Sequence, residues 1–302
     1  MLLAQEANPT QKLPAQNQQG QNDSDTQNPN NPIFRVQVVS KTVTAVSYRN
    51  RSGWTKIDFQ GTALAPKAEG RADVNSRKGY IQVKASVKKL PRATSFGSEY
   101  LTYVLWAITP DGRPKNLGEL LVNQNGDADI DVTTELQSFG LVVTAEPYYA
   151  VTQPSDVVVM ENIIRKDTVG KYEEVDAKYQ LLPRGMYVSK MGSGAPHLQM
   201  QKNVPLELYE ARNAVELARG AGADKLASDT FQNAQNLLQQ AEDYQTRKSG
   251  DKSVRMTARE AVQKAEDARI ITARREREIA MQNAKDQAAR SRAAAEEAAK
   301  QR

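Results

Sequence analysis

The sequence contains no cysteine and a single histidine, His197. Without cysteine the chain forms no disulfide bond, offers no thiolate nucleophile and supplies no cysteine ligand for zinc, and this absence suits proteins on either side of a membrane. A serine–histidine–acid triad would have to depend on one histidine in a glycine-containing segment. These absences exclude zinc–cysteine and thiol chemistry and leave the compartment open.

Long apolar runs and catalytic motifs are also missing. No stretch approaches the roughly 18 to 20 apolar residues that a membrane-spanning helix needs. Gly118 and Gly126 belong to no phosphate-binding motif. The acidic pairs Glu173–Glu174 and Glu296–Glu297 are sequence neighbours, which do not face each other on a strand or a helix. We therefore predict no catalytic residue, no cofactor and no enzymatic activity.

A polar series is the candidate for a metal site. Asn123, Asn125, Asp127, Asp129 and Asp131 place an oxygen-bearing side chain at every second residue, so on a strand they share one face. Calcium binds clustered oxygen ligands, but the glycine and the terminal glutamate of an EF-hand loop do not stand at the required positions. Alternating acids are typical of a solvated strand face, and we predict that arrangement without a bound metal.

Four aromatic residues are candidates for a ligand-binding platform, namely Trp54, Trp106, Tyr148 and Tyr149. Large aromatic side chains are mostly buried or placed at turns in folded proteins. We predict core and turn positions for them.

Residues 1–32 are predicted to lie outside any folded domain. Leu2, Leu3 and Ala4, followed by Gln5, resemble the end of a secretory signal with cleavage after Ala4. Residues 5–32 are rich in Gln, Asn, Pro, Asp, Ser and Thr and have too few apolar groups to offset the entropy of ordering. We predict a signal-peptide remnant followed by a disordered tether.

Alternating apolar and polar residues predict strands from Phe34 onward, most clearly at residues 81–87. The continuous apolar run at residues 100–108 ends at a Pro-Asp-Gly turn and predicts a central strand. Further strands are predicted at residues 34–38, 57–59, 117–122, 128–132, 141–145, 157–160 and 175–181. Short strands at this spacing are typical of an antiparallel immunoglobulin-like β-sandwich, which we assign to residues 33–188.

A glycine- and proline-containing segment, residues 189–203, is predicted to be a hinge to a helical module at residues 204–302. The module is Ala-rich and heavily charged, and apolar residues recur at three- and four-residue steps. Its predicted boundaries are Pro205 at the first start, Gly220 and Gly222 at the first end, Ser228 as the second N-cap, Ser249 and Gly250 at the second end, and Asp251 at the third start.

The third helix is predicted to extend beyond its neighbours. From Asp251 to Arg302 it would be about 78 Å long at about 1.5 Å per residue, whereas the preceding helix would cover about 30 Å. Its first half carries an apolar stripe at Val254, Ala258 and Ala265, but beyond Ala273 the stripe is mostly alanine, which buries little area. We predict a spacer or an oligomer seam, with a fraying end as the alternative.

The positive charge of the chain is concentrated in that helix. From Arg247 to Arg302 there are 15 basic and 9 acidic residues, a net charge of +6 against +5 for the whole chain. Acids interleave the bases, and no aromatic residue follows Tyr244, so nucleic acid is not an expected partner. Large apolar residues are too few for a helix lying on a membrane surface.

Two stretches resemble bacterial envelope proteins. Residues 99–120 (EYLTYVLWAITPDGRPKNLGEL) and 131–161 (DVTTELQSFGLVVTAEPYYAVTQPSDVVVME) are similar to the N-terminal β domain of OmpA-family proteins. The YVLWAITPDG core is also similar to extracytoplasmic domains of anti-sigma factors. Residues 205–273, which include LELYEARNAVELARGAGADKLASDTFQNAQNLLQQAE and AVQKAEDAR, resemble the uncharacterised helical module that precedes an OmpA-like peptidoglycan-binding domain.

The resemblance implies an envelope address and a structural role. In such proteins the helical part leads to a domain that grips the diaminopimelate of peptidoglycan through an aspartate and an arginine. No segment here has that domain's length or pattern, so no peptidoglycan-binding residue is assigned. We expect either a truncated product or a version that ends with its spacer.

The preferred function is that of a non-catalytic structural or adaptor protein in the periplasm or at the outer membrane. Its β head would contact an envelope protein or a cell-wall component, and its helical arm would act as a spacer or join copies into a homo-oligomer. The first alternative is a ligand- or glycan-binding module that uses the loops around residues 110–114 and 147–154. The second is anionic-polymer binding by the basic arm.

Overall fold

The computed structural model describes residues 39–48, 53–163, 165, 168, 171–182, 187, 200–201 and 203–301. Residues Gln37–Arg302 form one compact unit. The predicted tether, the predicted strand at residues 34–38, His197 and most of the predicted hinge lie outside the described residues. The strands and helices that the sequence predicts elsewhere can be compared directly with the structure.

The described β region consists of ten strands that pair in antiparallel fashion. They are β1 (Val39–Ser47), β2 (Trp54–Gly61), β3 (Glu69–Arg77), β4 (Tyr80–Lys88), β5 (Thr102–Ile108), β6 (Pro114–Leu120), β7 (Ala128–Thr134), β8 (Ser138–Glu146), β9 (Val158–Ile163) and β10 (Lys171–Leu181).

The strands form one continuous sheet that nearly closes into a barrel. Following the hydrogen-bonded neighbours gives the order β6-β5-β8-β9-β2-β3-β4-β7, with the β1–β10 pair attached at the beginning of β8. The two ends of this path meet, because a Cβ atom added at Gly118 of β6 would lie 2.9 Å from Cδ1 of Ile130 in β7. The sheet is therefore curved around a shared interior.

The predicted immunoglobulin-like sandwich is not confirmed. A sandwich needs two separate sheets, whereas β8 pairs with β5 along one edge and with β1 and β9 along the other, so the strands stay connected. Alternation identifies which residues of a strand face inward, but it carries no information about which strands pair. The antiparallel β character was predictable, and the closure was not.

Most of the predicted strands are present, and their inward-facing apolar residues form the interior of the sheet. Strand β4 alternates buried and exposed residues, and the apolar strand β5 is buried along its whole length. Strand β3 was missed, because its sequence EGRADVNSR contains only two apolar residues that point inward, Ala72 and Val74. Its pairing with β2 and β4, rather than its own composition, makes it a strand.

The helical region contains α1 (Leu206–Gly220), a short α2 (Ala223–Leu226), α3 (Ser228–Thr246) and α4 (Asp251–Lys300). The predicted breaks are confirmed at Gly222, which adopts a φ of 85°, and at Gly250. The predicted cap at Ser228 is wrong, since Ala227 takes the N-cap position and no side chain caps the helix.

Helix α4 has two different halves. Its first half lies against α1 and α3 and buries Val254, Ala258 and Ala265, as predicted, together with Ala261 and Val262. From residue 274 to residue 301 every side chain is exposed. At about 1.5 Å per residue, the 50-residue helix is about 75 Å long. Among the described helices, none has an apolar stretch long enough to span a membrane.

The sheet and the helices share one hydrophobic core. Tyr148 and Val151, which follow β8, belong to the same cluster of buried side chains as Leu208 of α1 and Val262 of α4. The helical region is therefore packed directly onto the β region. We call residues 39–182 the head and residues 274–301 the arm.

Candidate functional site

The most unusual chemistry in the described structure lies where α1 and α4 meet the sheet. Charged side chains are buried there among apolar ones, which proteins tolerate only when the charges are paired or neutralised. We call this contact the junction, and its polar members are Thr102, Glu119, Tyr148, Tyr149, Thr152, Glu207, Glu210, Arg255, Arg259, Glu266 and Arg269.

Glu266 of α4 is the centre of the first part of the junction. Its fully buried carboxylate accepts hydrogen bonds from the Tyr148 hydroxyl at 2.7 Å and from the Thr152 hydroxyl at 2.6 Å. Arg269, one turn along the helix, donates through Nε at 2.7 Å and Nη2 at 2.8 Å. Both oxygens are thus satisfied by charge-assisted bonds, and one helical residue is bound to the loop after β8.

Arg259, two turns earlier on α4, forms the second part. Its Nη1 lies 3.0 Å from Oε2 of Glu119 in β6, and the Thr102 hydroxyl donates to the other Glu119 oxygen at 2.8 Å. The guanidinium lies 3.8 Å from the ring centre of Tyr149, whose hydroxyl donates to the Arg259 carbonyl at 2.8 Å. A cation over an aromatic ring is favourable, so this arginine is held on two sides.

Two carboxyl groups of α1 complete the junction. Glu207 lies 3.3 Å from Nη1 of Arg255. Glu210 is fully buried, and in the described part of the chain no hydrogen-bond donor reaches either of its oxygens. Burial, and then the neighbouring Glu119, raises the pKa of Glu210 well above its usual value.

A further buried carboxyl group lies inside the head, apart from the junction. Glu146 at the end of β8 accepts bonds from the Thr144 hydroxyl, from the Ser155 amide at 2.8 Å and from the Tyr187 hydroxyl at 3.1 Å. Burial raises the pKa of Glu146 to about 7, although these donors oppose the shift. Trp106 extends the chain of bonds by donating to the Thr144 hydroxyl at 2.8 Å.

The alternating Asn and Asp residues at positions 123–131, considered above as a metal site, are divided between a turn and a strand. The Asn123 carboxamide oxygen accepts the amides of Asn125 at 2.8 Å and Asp127 at 3.1 Å, so these residues form the β6–β7 turn. Asp129 and Asp131 lie on the outer face of β7, as predicted for a solvated face, and Asp131 lies 3.3 Å from Lys84. Within the described residues no three acidic or histidine side chains are placed to hold a metal ion.

The aromatic candidates occupy three environments. Trp106 and Tyr148 are fully buried, which confirms their predicted core positions. Trp54, predicted at a core or turn position, lies instead at the start of β2 and is 45% exposed, and Lys84 Nζ lies 5.5 Å from its ring centre. Tyr149 is partly buried and belongs to the junction.

The remaining candidates lie apart from the junction. Glu173 and Glu174 belong to β10, whereas Glu296 and Glu297 are exposed on the arm. Gly118 lies in β6, and Gly126 lies in the β6–β7 turn with a φ of 85°. The structure does not bring these residues together.

The predicted recognition loops differ in exposure. The loop around residues 147–154 contributes Tyr148 and Thr152 to Glu266 and therefore faces α4. The turn at residues 110–114 is exposed at Asp111 and Arg113, and the Thr109 amide donates a hydrogen bond to the Arg113 carbonyl at 3.0 Å across it.

A separate cleft of about 600 Å³ is lined by Leu90, Tyr103, Val122 and Leu206 among others.

Sequence reasoning missed the charged members of the junction. Glu210 stands within the apolar stripe of α1, and Glu266 follows Ala265 and stands four residues after Val262 on the buried side of α4. A carboxyl group at an apolar stripe position was the available signal. Charge alone had suggested a solvated surface instead.

Comparison with known proteins does not assign a family to the chain. No protein-family model matches the chain, and no curated protein matches it either. The resemblance to OmpA-family proteins therefore stays a prediction from sequence.

Proposed function

We propose that the protein is a non-catalytic structural or adaptor component of the bacterial cell envelope, located in the periplasm or at the outer membrane. The head contacts an envelope protein or a cell-wall component, and the arm acts as a spacer or joins copies of the chain. The envelope address depends on the OmpA-family resemblance and on the signal-like residues 2–4.

The observation that carries the mechanical part is the continuity of α4. One helix begins in the core, is bound to the head through Arg259 and Glu266, and continues through the exposed arm. A continuous helix has no internal hinge, so a displacement at its exposed end acts on the junction. An exposed rod fixed to a folded body is suited to setting a distance.

The arm's composition supports a persistent helix. Arg274 lies 3.8 Å from Glu278, and the Gln282 amide donates to Asp286 at 2.8 Å, both at four-residue spacing. Such pairs and a high alanine content favour helix, although each pair contributes only about 0.2–0.5 kcal/mol. A lone helix remains marginal in water, so a binding partner or a second copy would stabilise it further.

Cell fractionation with a protease-accessibility test checks the address. The proposal expects the protein in the periplasmic or membrane fraction and degraded by protease only after the outer membrane is opened. A periplasmic and a cytoplasmic marker protein serve as the matched controls. A wholly cytoplasmic pool contradicts the proposal.

Two arm variants separate a spacer from an oligomer seam. One replaces residues 274–301 by an Ala/Glu/Lys helix of equal length, and the other deletes 11 residues, which is about three helical turns. If the arm is a spacer, the protein keeps its function after the replacement and loses it after the shortening. A seam loses its oligomer in sedimentation after the replacement, because specific side chains form the contact.

The ligand-binding alternative has weaker support. Its second loop faces α4 through Tyr148 and Thr152, which leaves the turn at residues 110–114 as its exposed candidate. A glycan or envelope-extract binding screen with Asp111→Ala and Arg113→Ala tests it. Binding that these substitutions abolish would favour this alternative over the adaptor.

A further inference from the structure

The contact between α1, α4 and β6 contains more acid than base. Glu119 pairs with Arg259, and Glu207 pairs with Arg255. Both arginine side chains are partly exposed, whereas the three carboxyl groups of the contact are almost entirely buried. Glu210 is the third carboxyl group, and among the described residues no cation is paired with it.

Glu210 is the group that the geometry leaves unsatisfied. Its two oxygens are buried without a donor from the described residues, and an ionised carboxylate in such a place is strongly disfavoured. It lies close enough to Glu119 for hydrogen bonding and charge repulsion between the two to raise its pKa. Two ionised carboxylates are both acceptors, so they form a hydrogen bond only when one of them carries a proton.

A bound cation would be another way to neutralise the excess charge. Among the residues that the structure describes, no three acidic or histidine side chains converge in a way that could hold a metal ion. Arg259 cannot serve Glu210 fully, because its guanidinium is held by Glu119 and by the Tyr149 ring. A proton is the smallest neutralising group and needs no cavity.

We infer that Glu210 keeps its proton at neutral pH and directs it to Glu119, and that this proton makes the attachment of the helical region to the head sensitive to pH. The folded chain retains the proton in a range where the unfolded chain has released it. The contribution of Glu210 to the attachment is therefore present while it keeps its proton and is lost as the pH rises through its titration. Above the titration of Glu210, two buried negative charges on α1 and β6 repel each other.

The titratable and charged groups that act on Glu210 come from four segments of the described chain. Glu119 approaches from β6, Arg259 from α4, Tyr149 from the segment after β8, and Glu207 from the preceding turn of α1. The two glutamates favour the protonated form of Glu210, and Arg259 opposes it. The inference concerns the junction alone and does not depend on the proposed envelope function.

Carbon-13 NMR of glutamate side-chain carboxyls in the full chain tests the proton directly. We expect a carboxyl signal at the protonated position at pH 7 that disappears in E210Q and persists in E146Q. In E119Q its titration midpoint should fall by about one pH unit or more, because the neighbouring negative charge and hydrogen-bond acceptor of Glu119 are removed. Glu216→Gln, a partly exposed glutamate of the same helix, is the matched control and should leave the signal unchanged.

A distance measurement tests the mechanical consequence. The chain has no cysteine, so spin labels can be placed at K88C on β4 and Q282C on the arm. Pulsed electron paramagnetic resonance should give a narrow distance distribution at pH 6 and a broader one at pH 9, and E210Q should stay narrow at both. Equal broadening in E210Q, or a Glu210 carboxyl that titrates in the ordinary glutamate range, would overturn the inference. Should E210Q fail to fold, the E119Q titration decides.

Discussion

At the scale of single residues, Glu266 shows how the helical region is bound to the head. Its carboxylate is fully buried and receives donors from two residues of the loop after β8 and from Arg269. A buried ion pair is not itself strong evidence of stability, since desolvation offsets much of the attraction. Removing one partner is different, because the other charge then stays buried alone.

Glu266→Gln is therefore expected to destabilise the folded chain by about 3 kcal/mol, with Arg269 left unpaired. Urea unfolding followed by circular dichroism measures the loss. Glu296→Gln, on the exposed arm, is the control and should change the free energy of unfolding by less than about 0.5 kcal/mol. Equal effects of the two substitutions would mean that the junction does not depend on this carboxylate.

The raised pKa of Glu146, inside the head, predicts that the stability of the folded chain depends on pH. Its pKa is raised from 4.5 to about 7, so the folded state binds its proton more tightly than the unfolded chain does. The corresponding stability is present below pH 4.5 and is lost as the pH rises toward 7. The shift corresponds to roughly 3 kcal/mol between these limits.

Glu146→Gln keeps a neutral side chain of the same shape and should flatten the stability profile between pH 4.5 and about 7. Denaturant unfolding at a series of pH values measures the slope. The exposed Glu135→Gln should leave the wild-type slope in place. Any slope that remains in E146Q should decrease when E210Q is added, because Glu210 is the other buried carboxyl group of the described residues whose pKa is raised.

The sequence predicts which apolar side chains are buried better than it predicts which charged side chains are buried. Trp106 and the stripe of α4 were predictable, because large apolar side chains and helical periodicity have one dominant outcome. Glu266 was not, since its burial depends on donors from Tyr148 and Thr152, which lie 118 and 114 residues away in the chain. Local patterns contain no information about such partners.

At the scale of elements, α4 is a single helix that lies in two environments. Ala268 is fully buried against neighbouring elements, whereas Ala284 lies on the exposed arm. Periodicity and helix-breaking glycines predicted the helix boundaries closely, because these signals are local. The closing of the sheet between β6 and β7 was not predictable, because it brings together strand edges that carry no pairing signal of their own.

Proline at these two positions should give opposite results. Ala268→Pro breaks a packed helix and is expected to cost about 3 kcal/mol or more of global stability. Ala284→Pro should leave the global unfolding midpoint unchanged and reduce the helical circular dichroism signal of the arm only. A lower midpoint for A284P would show that the arm contributes to the folded core.

At the scale of the whole molecule, the head and the helices should unfold together. Their buried side chains form one hydrophobic cluster, and the junction adds hydrogen bonds and ion pairs between them. Separate domains joined by a hinge would instead unfold independently, each with its own midpoint. The shared core thus makes the two halves one cooperative unit in spite of their different secondary structure.

The distribution of tryptophan allows this to be measured. Both tryptophans, Trp54 and Trp106, lie in the head, so fluorescence follows the sheet, whereas circular dichroism at the helical minimum follows mainly α1, α3 and α4. We expect coincident midpoints in urea for the two signals, measured on a chain shortened after Ala273 so that fraying of the arm does not distort the baseline. In Glu266→Gln both midpoints should fall by the same amount, because weakening the junction weakens the whole unit. A helical transition that precedes the fluorescence transition would show instead that the helices are only docked on an independently stable head.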